Sequence, residues 1–149
     1  MRLSSFSDYS LRVLMYLGVH AGGLAKIAEI AAAYGISENH LIKVVHQLGR
    51  LGYVETVRGK GGGMRLGRPP EKIRLGELIR LTEVDLALVE CFATGSHCQI
   101  QAACRLPPIL DQALAAMFGV LDSYTLADLL RSPKELSQAI HPVLSSREV

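Results

Sequence analysis

Residues 26–66 read KIAEIAAAYGISENHLIKVVHQLGRLGYVETVRGKGGGMRL, and three changes of texture inside that stretch decide the fold. Up to Tyr34 the apolar residues Ile27, Ile30 and Ala31 share one face at helical spacing. Gly35 breaks the pattern. Ser37 then offers a hydroxyl to cap a new helix through about Leu51, with Leu41, Val44, Val45 and Leu48 turned inward. Two helices across a tight glycine turn make a helix-turn-helix. After Leu51-Gly52 the period changes to two: Tyr53–Val57 is rich in β-branched residues, Arg58–Gly63 is a basic glycine turn, and Met64–Leu66 returns. That is a β-hairpin beside the helix pair, a wing.

Outward from this stretch the chain stays helical. Leu11, Leu14, Met15 and Val19 predict a first helix from Ser7 or Asp8 to His20, with either residue as its cap. Leu75–Val84 reads as a fourth helix. Pro107-Pro108 opens a long one to about Tyr124, carrying Ile109, Leu110, Ala113, Leu114, Met117, Phe118, Leu121 and Tyr124. An apolar stripe this wide, after the core is complete, needs a partner surface, and self-association is the preferred explanation over folding back on its own domain. Thr125–Asp128 is a fresh cap before a short last helix. From Ser132 onward the chain is polar, broken by Pro133 and Pro142, and is expected to be mobile.

The expected fold is therefore mostly α with a small β-hairpin: a winged helix-turn-helix followed by a long C-terminal dimerisation helix. The expected divisions are a DNA-binding region at 1–84, a cysteine-bearing loop at 85–105, the dimerisation helix and short last helix at 106–131, and the tail at 132–149.

Composition bounds the function. Apolar residues make up 49% of the 149 residues and Trp is absent, which suits an aliphatic, helical core. No apolar run reaches the ~18 residues of a membrane span, and the stretch Val13–Val19, with Asp8 and Arg12 before it, is wrong for a secretory leader. The expectation is a cytoplasmic protein with no membrane partner. Net charge is only +2, but from Lys26 to Arg74 nine Lys and Arg face four acids, and from Leu75 onward five face nine. A basic front half suits a face that meets a polyanion.

In a helix-turn-helix the early residues of the second helix meet base edges in the major groove. Those are Ser37, Asn39, His40 and Lys43. Asn39 can offer paired hydrogen bonds to adenine, and Lys43 can contact guanine or phosphate. Arg58 and Lys60 on the wing would reach the adjacent minor groove. Each alone is an ordinary surface residue; their order and spacing carry the argument.

The three cysteines, Cys91, Cys98 and Cys104, fall inside fourteen residues as C-x6-C-x5-C. An odd number cannot close as disulfides, and thiolates are soft ligands for zinc or iron–sulfur clusters. Structural zinc prefers short C-x2–4-C knuckles, which are missing here. Wider spacing and only three thiolates favour an iron–sulfur cluster with one ligand that is not cysteine. Glu90 and His97 are the local candidates and Asp8 a distant one, though Asp8 has an obvious alternative role as a helix cap. No C-x-x-C, His-rich metal motif, Ser/His/Asp arrangement or P-loop supports an enzyme.

The opening MRLSSFSDYSLR at 1–12, the wing VRGKGGG at 57–63 and the three cysteines, in that order, resemble the family of winged-helix iron–sulfur regulators that includes IscR and NsrR. The resemblance covers roughly Met1 to Leu130 and is strongest to the nitric-oxide-sensing branch. It implies a repressor that binds a double-stranded DNA operator as a homodimer through helix 107–124. It also implies an iron–sulfur cluster, 4Fe-4S favoured over 2Fe-2S, on Cys91, Cys98 and Cys104, with nitric oxide as the signal. In that branch an aspartate near the start of helix one, supplied by the other subunit, completes the site, and Asp8 stands at the matching position. The IscR-type histidine three residues after the third cysteine is absent, since Pro107 is there. The alternatives are an iron- or redox-sensing regulator of the same family and a cofactor-free thiol-sensing regulator.

Overall fold

The computed structural model describes residues 2–92 and 97–140. Its core is a helical unit closed by a hairpin: α1 (Ser5–Val19), α2 (Ile27–Tyr34) and α3 (Glu38–Arg50), then β1 (Val54–Val57) and β2 (Gly63–Leu66), then α4 (Leu75–Thr82). The strands pair antiparallel with Val54 opposite Leu66 and Val57 opposite Gly63. Ala25 adds a single bridge to Met64, so the hairpin is sewn to the chain entering α2. This is a winged helix-turn-helix within a mostly helical chain.

The local chemistry matches the elements. Gly35 ends α2 at φ 64°, a left-handed conformation that favours glycine and lets the chain reverse into α3. The Ser37 hydroxyl accepts from the His40 backbone N–H at 3.3 Å and so caps α3. Leu41, Val44, Val45 and Leu48 are all at most 5% exposed and pack with Val13, Leu14 and Leu17 of α1 in the common core.

Two departures from expectation have a structural cause. Helix α1 begins at Ser5 with Ser4 as its cap, not at Ser7 or Asp8. Ser4 receives the Ser7 N–H on its hydroxyl (3.2 Å) and gives its own N–H to the Glu83 carboxylate (2.8 Å), so a tertiary contact selects which serine caps. The tail expected to be mobile instead contains a further helix, α7 (Pro133–Ile140). Leu136 and Ile140, one turn apart, turn inward against the core, with Ile140 5% exposed; residues 141–149 lie outside the described residues.

After α4 the chain runs through a 3-10 turn at Glu90–Phe92 and the cysteine segment into α5 (Leu106–Asp122), then α6 (Leu126–Leu129). Thr125 opens α6, its N–H and hydroxyl both directed at the Asp128 carboxylate (2.8 and 3.1 Å). Helix α5 packs on α4. Phe118 is its one buried residue, whereas Leu106, Ile109 and Val120 are exposed. Among the described residues no helix is long and apolar enough to cross a membrane.

Candidate DNA-reading face and cysteine loop

Capping and burial together aim α3. With four apolar residues committed to the core, Ser37, Asn39, His40 and Lys43 are all exposed on the open side of the helix. Ser37 is partly occupied, since its hydroxyl caps α3. The His40 ring lies beside Tyr9 of α1, centroids 6.2 Å apart.

The wing places Arg58 and Lys60, both exposed, at the tip between β1 and β2. Gly59 and Gly61 take φ of 102° and 79°, which side chains resist, so the tip needs glycine at both positions to turn. Below the tip, Arg65 of β2 grips Glu55 of β1 with two hydrogen bonds (2.9 and 3.2 Å). At its base Arg68 stacks over the Tyr53 ring (4.3 Å) and donates to the Leu51 carbonyl (2.7 Å). The first contact braces the two strands, and the bond to Leu51 ties the base of the hairpin to the end of α3. Sequence reasoning missed them, although an arginine inside the second strand and another two residues after it were the available signals.

The cysteine segment is strung between two helices that are themselves clamped. Arg80 of α4 makes a two-pronged contact with Asp122 of α5 (2.7 and 2.8 Å) and lies over the Phe118 ring (4.2 Å). The Arg80 guanidinium holds the Asp122 carboxyl below its ordinary range. None of Cys91, Cys98 and Cys104 is in a disulfide; Cys91 and Cys104 are half-buried and Cys98 is exposed. Among the described residues no three His, Cys, Asp or Glu side chains form a group that could hold a metal ion. The donor chemistry, three thiols on one segment, thus fits a thiophilic metal group, but this conformation does not gather the donors.

Asp8 sits on the first turn of α1, half-exposed, paired with Arg12 one turn on (3.1 Å). Arg12 in turn lies 5.7 Å from the centre of the Tyr34 ring at the end of α2. Glu90 and His97, the local alternatives to Asp8, are exposed.

The first turn of α1 is also tied to the end of α4. The Ser7 and Thr82 hydroxyls are hydrogen-bonded at 2.7 Å in the interior, beside the Ser4–Glu83 contact. The segment that carries the cysteines therefore leaves the body of the protein at a point bonded to α1. Sequence reasoning did not find Ser4, Thr82, Glu83 or the Arg80–Asp122 pair, because nothing local marks partners some forty to eighty residues apart.

The sequence pattern of Rrf2, described as an iron-dependent transcriptional regulator, matches residues 3–132. The chain is 49% identical over 142 residues to the HTH-type transcriptional regulator NsrR of Bacillus subtilis (strain 168), covering 94% of this chain and 97% of that one. It is 49% identical over 138 residues to NsrR of Geobacillus kaustophilus (strain HTA426), covering 91% and 94%. Among solved structures it is similar to T. potens IscR, with a TM-score of 0.72 and 28% identity over 91% of this chain and 90% of that one. It is also similar to CymR, the global cysteine regulator of B. subtilis, with a TM-score of 0.68 and 28% identity over 87% and 95%. The relatives are named as regulators and not as enzymes, in keeping with the absence of a catalytic motif. The chain belongs to the Rrf2 family and is a helix-turn-helix transcriptional regulator.

Proposed function

We propose that this protein is a homodimeric transcriptional repressor that reads operator DNA with α3 and the wing and senses nitric oxide through an iron–sulfur cluster. Cys91, Cys98 and Cys104 would hold the cluster, with Asp8 of the partner subunit as the fourth ligand. The 4Fe-4S form is favoured over 2Fe-2S. When bound, the cluster supplies an iron whose carboxylate ligand is harder and weaker than thiolate, and hence a point of attack for nitric oxide.

One observation carries the reading: the route from the cysteine segment to the recognition helix is short and made of packed contacts. Glu83 and Thr82 hold Ser4 and Ser7 of α1, and one residue past Asp8 on α1 the Tyr9 ring meets His40 of α3. A change in how Asp8 is held therefore bears on the helix that carries Asn39 and Lys43. Asp8 is accessible enough to be offered to a second subunit, and Arg12 can take up its charge when it is released. A dimer must match half-sites about one DNA turn apart, roughly 34–36 Å, so a small rotation of α3 in each subunit spoils the register.

The test is the visible spectrum of anaerobically purified protein, titrated with nitric oxide while DNA binding is followed. Iron–sulfur absorption that bleaches as affinity for DNA falls supports the proposal. A cluster indifferent to nitric oxide turns the reading toward an iron or redox signal, and a colourless protein after reconstitution with iron and sulfide removes the cluster.

A further inference from the structure

The recognition helix carries one residue that its polar face does not explain. Ile42 is 50% exposed in the middle of α3, whereas Leu41, Val44, Val45 and Leu48 are at most 5% exposed. It lies three positions after Asn39, next to Lys43 and four positions before His46, all of them exposed, a spacing that puts these residues on one side of a helix. A β-branched side chain there has lower helix propensity than Ala, Leu or Lys and gains little burial in exchange.

Single exposed apolar residues are common, so exposure alone assigns nothing; the surroundings do. Among the described residues Ile42 is the one large apolar side chain of α3 that is exposed, whereas α5 exposes Leu106, Ile109 and Val120. Its neighbours are an amide, an ammonium and an imidazole, groups that hydrogen-bond to base edges or pair with phosphate. The surface complementary to such a mixture is the floor of the major groove. That floor has one apolar group, the C5-methyl of thymine.

We infer that Ile42 is a specificity-determining residue that packs on thymine methyl groups, beside the base pair read by Asn39. The inference rests on the DNA-binding reading above and adds to it a base class. Asn39 suits the N6 and N7 edge of adenine, and Ile42 suits a thymine methyl on a neighbouring pair, so together they select an A·T-rich step. Taking one methyl out of water changes affinity by about fourfold.

The experiment selects binding sites for the full chain, purified anaerobically, from a random double-stranded DNA library. Each thymine of the enriched duplex is then replaced in turn by deoxyuridine, which lacks only the C5-methyl. The expected result is one or two thymines whose replacement weakens wild-type binding about fourfold each. The I42A variant should bind the thymine and uracil duplexes equally, with the salt dependence of the wild type. If every thymine can be replaced without loss, or I42A remains as sensitive as wild type, Ile42 does not read methyl groups. A change of oligomeric state in I42A would overturn the inference by making Ile42 a protein contact. Failure to enrich any sequence would instead sink the DNA-binding reading itself.

Discussion

The hydroxyls of Ser7 and Thr82 meet at 2.7 Å in a fully enclosed position, 75 residues apart in the chain. Thr82 also directs its hydroxyl at the Leu78 carbonyl of its own helix (2.9 Å), so it has a second partner. Among the described residues the Ser7 hydroxyl has beyond Thr82 only a long contact from the Ser4 hydroxyl (3.4 Å). The two substitutions should therefore differ. Thr82→Val strands a buried hydroxyl and should destabilise by about 2 kcal/mol, whereas Ser7→Ala should cost about 1 kcal/mol. Denaturant unfolding of both single variants and the double variant measures this. A coupling of about 1 kcal/mol is expected, and strictly additive effects would show that the bond does not tie α1 to α4.

Asp8 makes a different kind of contact. Its pair with Arg12 is an exposed i,i+4 ion pair, worth about 0.5 kcal/mol at most. Asp8→Ala should thus leave the cluster-free protein with nearly unchanged thermal stability. If Asp8 is the fourth ligand, the same variant should lose its visible absorption faster and react with nitric oxide at a different rate. Identical spectra and kinetics would confine Asp8 to its ion pair.

What was legible in the sequence was what short-range patterning specifies. The turn at Gly35, the Ser37 cap and the strand–turn–strand of β1 and β2 depend on neighbours within a few residues, and each stands where the pattern put it, although burial along β1 does not alternate. The start of α1 was not legible, because Ser4, Ser7 and Asp8 can all cap and the choice falls to Glu83, 79 residues away. Helix α7 was hidden for a similar reason: Pro133 and a polar composition suggest a loose tail, and only docking of Leu136 and Ile140 on the core gives the segment its burial. At the candidate site, residue chemistry was readable and assembly was not. Three thiols on one segment are not gathered by local rules, and among the described residues they form no group of three donors that could hold a metal ion.

Tyr34 offers a test at high pH. Burial pushes its phenol up from 10.0 to about 12, against the opposing pull of Arg12. An unfolded tyrosine ionises near 10, so its contribution to stability is intact below pH 10 and is lost as pH rises through 12. Its hydroxyl is also buried without a hydrogen-bond partner among the described residues. Tyr34→Phe should therefore be neutral or stabilising by about 1 kcal/mol at pH 7. The gap in unfolding free energy should widen in favour of Phe between pH 10 and 12. A loss of more than about 1 kcal/mol at pH 7 would mean that the hydroxyl has a partner.

Helix α5 presents Ile109, Ala113, Ala116 and Val120 at spacings of four, three and four, all exposed, so one stripe of two large and two small residues runs along it. Small residues between large ones let a second helix approach closely. Ile109→Glu or Val120→Glu should convert a dimer to a monomer in light scattering at micromolar concentration while leaving the circular dichroism unchanged. A dimer that survives both substitutions would put the subunit interface elsewhere.

The proposed DNA face separates into residues that position and residues that specify. Lys43, Arg58 and Lys60 are exposed cations on the recognition helix and wing tip, and a phosphate contact acts on all sequences alike by releasing counterions. Replacing any one by Ala should weaken binding to specific and random duplexes by similar factors and flatten the logarithmic salt dependence by about one unit. Asn39→Ala should instead lower affinity for the selected duplex with little change in salt slope, because a base-edge contact displaces no counterion. Fluorescence anisotropy across a range of potassium chloride concentrations distinguishes the two patterns. A lysine or arginine whose replacement changes neither affinity nor slope lies outside the footprint. If Lys43→Ala altered sequence preference and not slope, Lys43 would be a reader of guanine and no longer a phosphate anchor.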